Sequence, residues 1–173
     1  PEGAWAHISD APKLGQQMAD NLRAAVQTAP LLRQQGTPLD PARLFGHQRK
    51  RTRISVINLL GLPGLGSQQH FVSQLAMSLF SWIKKNPASP EQPLRGLLVL
   101  DEAKDFIPSV SSVPSKTSML RLAAQARKYG LGLILATQSP KDLEHSLISN
   151  CTTHYYGKAS SPNAIQVISE QLK

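Results

Sequence analysis

Two apolar runs in this sequence end on side chains able to do chemistry. "GLLVLDEA" at 96–103 leads into Asp101 and Glu102, and "LGLILATQ" at 131–138 ends on Thr137 and Gln138. A carboxylate at a strand tip can ligate a divalent cation, directly or through water. A second one beside it can orient or deprotonate an attacking water. Apolar residues followed by Asp-Glu make the Walker B pattern of nucleotide hydrolases, with Asp101 as the Mg²⁺ ligand and Glu102 facing the water. Acids at strand ends are common, so the pair alone also suits a solvated strand end. The second polar tip, with Gln138 lying 36 residues after Glu102, adds a group placed to sense a γ-phosphate.

Such groups work only if the elements beneath them hold both tips on one rim. The order reads as strands alternating with helices. A helix is expected over 12–28, where Leu14, Met18, Leu22 and Val26 recur every four residues. Pro30, Gly36, Pro38 and Pro41 then break the chain. The β-branched run "RISVINLL" at 53–60 predicts a strand, and Phe71, Val72, Leu75, Leu79, Trp82 and Ile83 predict a helix over 68–85 with Ser67 as its cap. The unbroken apolar runs at 96–103 and 131–138 predict parallel strands buried on both faces. Between them, 116–129 reads as a helix stopped by Gly130. "THYYGK" at 153–158 is a further strand candidate, and Pro162 opens a last helix. The class is α/β with a parallel sheet, whose ligands sit at the carboxyl ends of the strands.

Composition narrows the rest. The chain has 173 residues, 40% of them apolar, enough for one domain with a sizeable core. No run is long enough to span a membrane. A single cysteine, Cys151, excludes a disulfide framework and points to a reducing cytoplasm, where the plainest role for it is a buried small apolar residue. His7, His47, His70, His145 and His154 are scattered, so no zinc spacing arises. No G-x-S-x-G elbow is present. The formal charge of +8 favours an anionic partner, and the densest cluster, "HQRKRTR" at 47–53, offers Arg49, Lys50 and Arg51 as phosphate-backbone contacts or as a solvated loop.

The stretch "LLGLPGLGSQQH" at 59–70 has the G-x-x-x-x-G spacing of a phosphate loop at Gly61 and Gly66. A working loop continues Gly-Lys-Ser/Thr, the lysine neutralising phosphates and the hydroxyl binding Mg²⁺. Here Ser67 and Gln68 follow. Both essential groups are missing, so the glycines are expected to serve turns, and no other segment offers the motif.

"RGLLVLDEAKDFIPS", "LAAQARKYGLGLILATQSP" and "SNCTTHYYGKASSP" together resemble the C-terminal half of the HerA-like ATPases of the HerA/FtsK superfamily, from about Arg53 to the C-terminus. That resemblance implies part of a RecA-like (ASCE P-loop NTPase) parallel sheet flanked by helices, lacking strand 1 and the P-loop. Residues 1–52 would then be a helical and loop lead-in, and 53–173 the C-terminal part of the ATPase core. It implies ATP and Mg²⁺ as cofactors, Asp101 for the metal, Glu102 for the catalytic water, and Thr137 and Gln138 at the nucleotide. Arg127 becomes the candidate arginine reaching a neighbouring subunit's nucleotide, although a helix-terminal cation needs no such role. DNA is the implied polymer, met by the turn 61–67 and the loop 107–116 with Lys104 and Lys116 nearby. A ring oligomer is implied as well, and a nuclease partner is left open. In such sheets 53–60 would be strand 2, and strand 1 would lie upstream of Pro1. The isolated fragment is then expected to be inactive and to dimerise or rearrange along the bare edge of 131–137. A conjugative or secretion-type transport ATPase shares these motifs. A non-catalytic basic α/β module is the alternative outside enzymes.

Overall fold

The computed structural model describes residues 11–28, 38–46, 52–158 and 162–171. The chain divides into two units, Pro1–Pro38 and Leu39–Lys173. In the first, α1 (Ala11–Thr28) forms the expected helix. Its Leu14, Met18 and Leu22 are exposed, and Asp20 pairs with Arg23 at 3.0 Å.

The second unit is built on two parallel strands. β1 (Gly96–Leu100) pairs with β2 (Leu131–Leu135) in a register running from Gly96 opposite Leu131 to Leu100 opposite Leu135. Two helices cover one face of this sheet: α3 (Gly64–Lys85) and α4 (Lys116–Ala126). A short α2 (Pro41–Phe45), capped by Asp40, precedes them, and Phe45 stacks on Trp82 at 5.2 Å. α3 buries Val72, Leu75, Ala76, Leu79 and Ile83, spaced three and four apart, so a single helical stripe faces inward. Met119, Leu122 and Ala126 do the same on α4. Fully burying a leucine such as Leu79 or Leu122 contributes about 1.5–3 kcal/mol each, and Leu98, Leu100, Leu133 and Leu135 pack on this cluster from the sheet.

α4 ends as expected. A tight turn, Arg127–Tyr129, leads to Gly130 at φ 79°, whose carbonyl accepts the Arg95 N–H at 2.7 Å. A Cβ at Gly130 would meet the Pro93 carbonyl oxygen at 2.8 Å. Beyond β2, α5 (His145–Asn150) carries buried Leu147, and α6 (Pro162–Gln171) opens on proline as read.

Several expectations are corrected. Residues 52–59 join no strand ladder: Ile57 and Leu59 pack on the core, while Ile54 and Val56 stay exposed. Side chains there take up backbone groups instead. Ser55 Oγ donates to the Leu44 carbonyl at 2.7 Å, and Asn58 Oδ1 accepts the Leu60 N–H at 2.9 Å. α3 begins at Gly64, directly after Pro63 at φ −72°, so Ser67 lies inside the helix and is not its cap. Of the turn glycines, Gly64 takes the positive φ, while Gly61 and Gly66 do not. Residues 153–158 form no strand and are exposed, and Cys151 is exposed at the end of α5. The central strands are not buried on both faces. Leu97, Val99 and Ile134 are 48%, 59% and 50% exposed, because among the described residues helices cover one side only. β2 also has one unpaired edge among the described residues.

Candidate functional site at the strand tips

The two tips meet because the ladder outlasts the strands. Ala136 N–H donates to the Leu100 carbonyl at 2.9 Å, and Ala103 N–H donates to the Ala136 carbonyl at 2.8 Å. Asp101 and Glu102 are thereby held beside Thr137 and Gln138. Across that gap Gln138 Nε2 donates to Glu102 Oε1 at 2.5 Å, a short charge-assisted bond.

Glu102 stands in the left-handed region at φ 48°, ψ 48°, and among the described residues no other non-glycine residue has a positive φ. Such a backbone costs about 1–2 kcal/mol in a residue with a Cβ, and it persists where surrounding bonds over-determine it. Here the Glu102 N–H donates to Asp101 Oδ1 at 3.0 Å, and the following turn, Ala103–Asp105, starts from buried Ala103. The result turns the Glu102 carboxylate toward the neighbouring tip while Asp101 stays exposed.

The two oxygens of Glu102 are inequivalent. Oε1 carries the Gln138 bond, whereas Oε2 is buried with no hydrogen-bond partner. Its nearest cation is Lys104 Nζ at 3.9 Å, too far for a hydrogen bond and near enough for charge attraction. Lys104 is committed elsewhere, to Asp105 Oδ1 at 2.7 Å. That hydrogen bond raises the lysine above its ordinary 10.5 against the opposing effect of desolvation, with the charges of Asp105, Glu102 and Asp142 adding to the rise. Gln69, buried on α3, ties the same turn down by donating to the Asp105 carbonyl at 2.7 Å. A cleft of about 300 Å³ opens beside it, between Leu65 and Gln69 on one side and Lys104, Asp105 and Asp142 on the other.

The other expected site residues fall in different places. Thr137 is half-buried, and its Oγ1 accepts the Ser139 N–H at 3.2 Å, closing a turn. Lys116 is drawn into an ion pair with Glu144 at 2.7 Å and donates to the Ser109 carbonyl at 3.1 Å. Arg127 is exposed just before β2 begins, at the opposite rim, and the five residues of β2 lie between it and Gln138. It does not reach this chain's own tips. Arg49, Lys50 and Arg51 lie outside the described residues. Among the described residues no group of three or more His, Cys, Asp or Glu could hold a metal ion.

Sequence reasoning missed the further acids at this rim. Asp105, Asp142 and Glu144 join Asp101 and Glu102 there, through the Lys104 pair, the bond from Ser109 N–H to the Asp142 carbonyl at 2.8 Å, and the Lys116 pair. The "DEAKD" spacing signalled Asp105. Asp142 and Glu144 carried no signal, because a loop places them.

No family model matches the chain. It is 25% identical over 123 residues to the DNA double-strand break repair helicase HerA of Sulfolobus acidocaldarius, a match covering 69% of this chain and 25% of that protein. Against the protein of the same name from Sulfurisphaera tokodaii the identity is 26% over 117 residues, 65% of this chain and 24% of the relative. For Saccharolobus solfataricus it is 24% over 124 residues, 70% and 24%. The matched stretch thus spans about a quarter of the length of these relatives. Over about two thirds of its length, this chain is HerA-like, a distant relative of the DNA double-strand break repair helicases of that name.

Proposed function

We propose that the strand tips are the hydrolytic rim of a HerA-type ATPase, and that the described sheet is the C-terminal part of a RecA-like core. The observation that carries this reading is the bond between Gln138 and Glu102, which joins the acid pair to the polar tip of the neighbouring strand. Bound Mg²⁺ and ATP supply the cation and the phosphoryl group. The residues fit that pair on the acid side: Asp101 offers an exposed carboxylate, and Glu102 Oε2 is buried without a hydrogen bond. Asp101 would hold the cation as a single protein ligand, the usual arrangement for Mg²⁺ bound with phosphates. Gln138 would fix Oε1, leaving Oε2 as the atom that accepts a proton from water.

DNA is the proposed polymer, since the relatives are named helicases. With Lys104 and Lys116 held in ion pairs, the loop 107–116 offers phosphates few free cations. The cluster Arg49, Lys50 and Arg51 is the stronger candidate. A ring of copies would bring Arg127 of one to the rim of the next, which is the only way its position serves the reaction. No described helix is long and apolar enough to cross a membrane. In the full-length protein, Glu102→Gln should lower steady-state hydrolysis at least a hundredfold with nucleotide affinity unchanged. Undiminished turnover would remove Glu102 from the chemistry.

A further inference from the structure

On the outer side of the helical layer lies a cleft of about 700 Å³ between α3 and the start of α4. Its floor is Met77, 48% exposed, with half-buried Phe80. Lys84, Lys85 and Arg121 stand around it, all exposed. Ser73, Met77, Phe80 and Lys84 recur at helical spacing on α3, so a single stripe forms one wall. That stripe is about 17 Å long at 1.5 Å per residue, three turns of helix. Ser118 Oγ donates to Ser73 Oγ at 3.0 Å and holds the walls together at one end.

The charge here is one-sided. From Gly64 to Lys85 and from Lys116 to Tyr129 the sequence contains no Asp or Glu. Asp101, Glu102, Asp105, Asp142 and Glu144 gather at the strand-tip rim instead, while Asp40, Glu91 and Glu170 stand outside both helical segments. Among the described residues Lys84, Lys85 and Arg121 form no ion pair, and the Lys84 ammonium rests 5.4 Å from the Phe80 ring centroid. An apolar floor framed by unopposed cations matches one kind of occupant. A phosphate backbone would use the cations and leave Met77 and Phe80 uncovered. An acidic amphipathic helix uses both, with apolar anchors on the floor and carboxylates toward the cations. Methionine suits such a floor because its side chain adapts to the anchor it meets.

We infer that the α3–α4 cleft is a docking groove for an acidic amphipathic helix, about three turns long, of a partner protein. The site is independent of the strand-tip chemistry and separate from it.

The test uses the full 173-residue chain and a synthetic, end-capped 16-residue peptide with leucines at i, i+4, i+7 and i+11 and glutamates on the flanking positions. Titration followed by ¹⁵N–¹H spectra should shift the resonances around Met77, Phe80 and Arg121, with micromolar affinity that weakens with salt. Replacing the leucines by serine, or the glutamates by lysine, should each weaken binding at least tenfold. Met77→Glu and Arg121→Glu should do the same, and both positions are exposed enough for the fold to persist, which the spectra check directly. Three results would overturn the proposal: binding weaker than millimolar, affinity unchanged in these variants, or displacement of the peptide by an equimolar 16-base-pair duplex.

Discussion

Gln138 Nε2 lies 2.5 Å from Glu102 Oε1, although 36 residues of chain separate the two. The crossover between them, with α4 at its centre, returns the chain parallel to β1 and brings both polar tips to one rim. Glu102 meets its partner from a left-handed backbone, a conformation that disfavours a residue with a Cβ.

That backbone gives a direct expectation for stability. Both Glu102→Ala and Glu102→Gly remove the carboxylate, but only alanine retains a Cβ at positive φ. The glycine variant should therefore be more stable than the alanine variant by about 1–2 kcal/mol, the reverse of their order in a helix. Urea midpoints of the two proteins decide it, and equal midpoints would mean that the backbone at 102 is unstrained.

Ser115 is fully buried and donates its hydroxyl to the Phe106 carbonyl at 2.7 Å. Ser115→Ala leaves that carbonyl without its partner and should cost about 1–3 kcal/mol. A thermal melt with no measurable shift would show that the loop after β1 does not depend on this bond.

Glu144 is held below its ordinary 4.5, chiefly by the hydrogen bond from Lys116. A depressed carboxylate stabilises the fold above its unfolded value and loses that contribution as pH falls through its folded value. The stability difference between the parent chain and Glu144→Gln should thus be full at pH 7 and shrink below about pH 4.5. A difference that stays constant down to pH 3 would separate the pair from acid sensitivity.

The bare sheet face sets solution behaviour. Val99 and Ile134 expose about half their surface on a parallel strand pair, beside an unpaired edge of β2. The 173-residue chain is expected to self-associate at micromolar concentration, and Val99→Lys with Ile134→Lys to make it monomeric. Sedimentation velocity reads both outcomes. A parent chain monomeric at 100 µM would show that the face is harmless.

Local signals carried the four longer helices and the two paired strands, whereas the short α2, which opens on the Pro41 read as a breaker, and α5 were not foreseen. The stripe of Leu75, Leu79 and Ile83, the stop at Gly130 and the proline start of α6 each declare themselves within a turn or two of sequence. So did the chemical groups at the tips, because buried parallel strands end abruptly where polar residues begin. Residues 53–60 misled for a physical reason. Their apolar, β-branched composition is a strand's, but a strand also needs a ladder neighbour, and no local pattern encodes one. The same holds for 153–158. The exposed faces of Val99 and Ile134 were equally hidden, since an apolar run shows what a strand could bury and not what lies against it. The ion pairs of Lys104 and Lys116 depended on loop geometry, which no local pattern encodes.

The most direct measurement is a double-mutant cycle on hydrolysis in the full-length protein, with Glu102→Gln, Gln138→Ala and the two combined. If the pair acts as one unit, each single change should slow turnover by about 10²–10³, and the double variant should be no slower than the worse single one. Losses that multiply, or a Gln138→Ala variant with unaltered turnover, would contradict a shared hydrolytic rim.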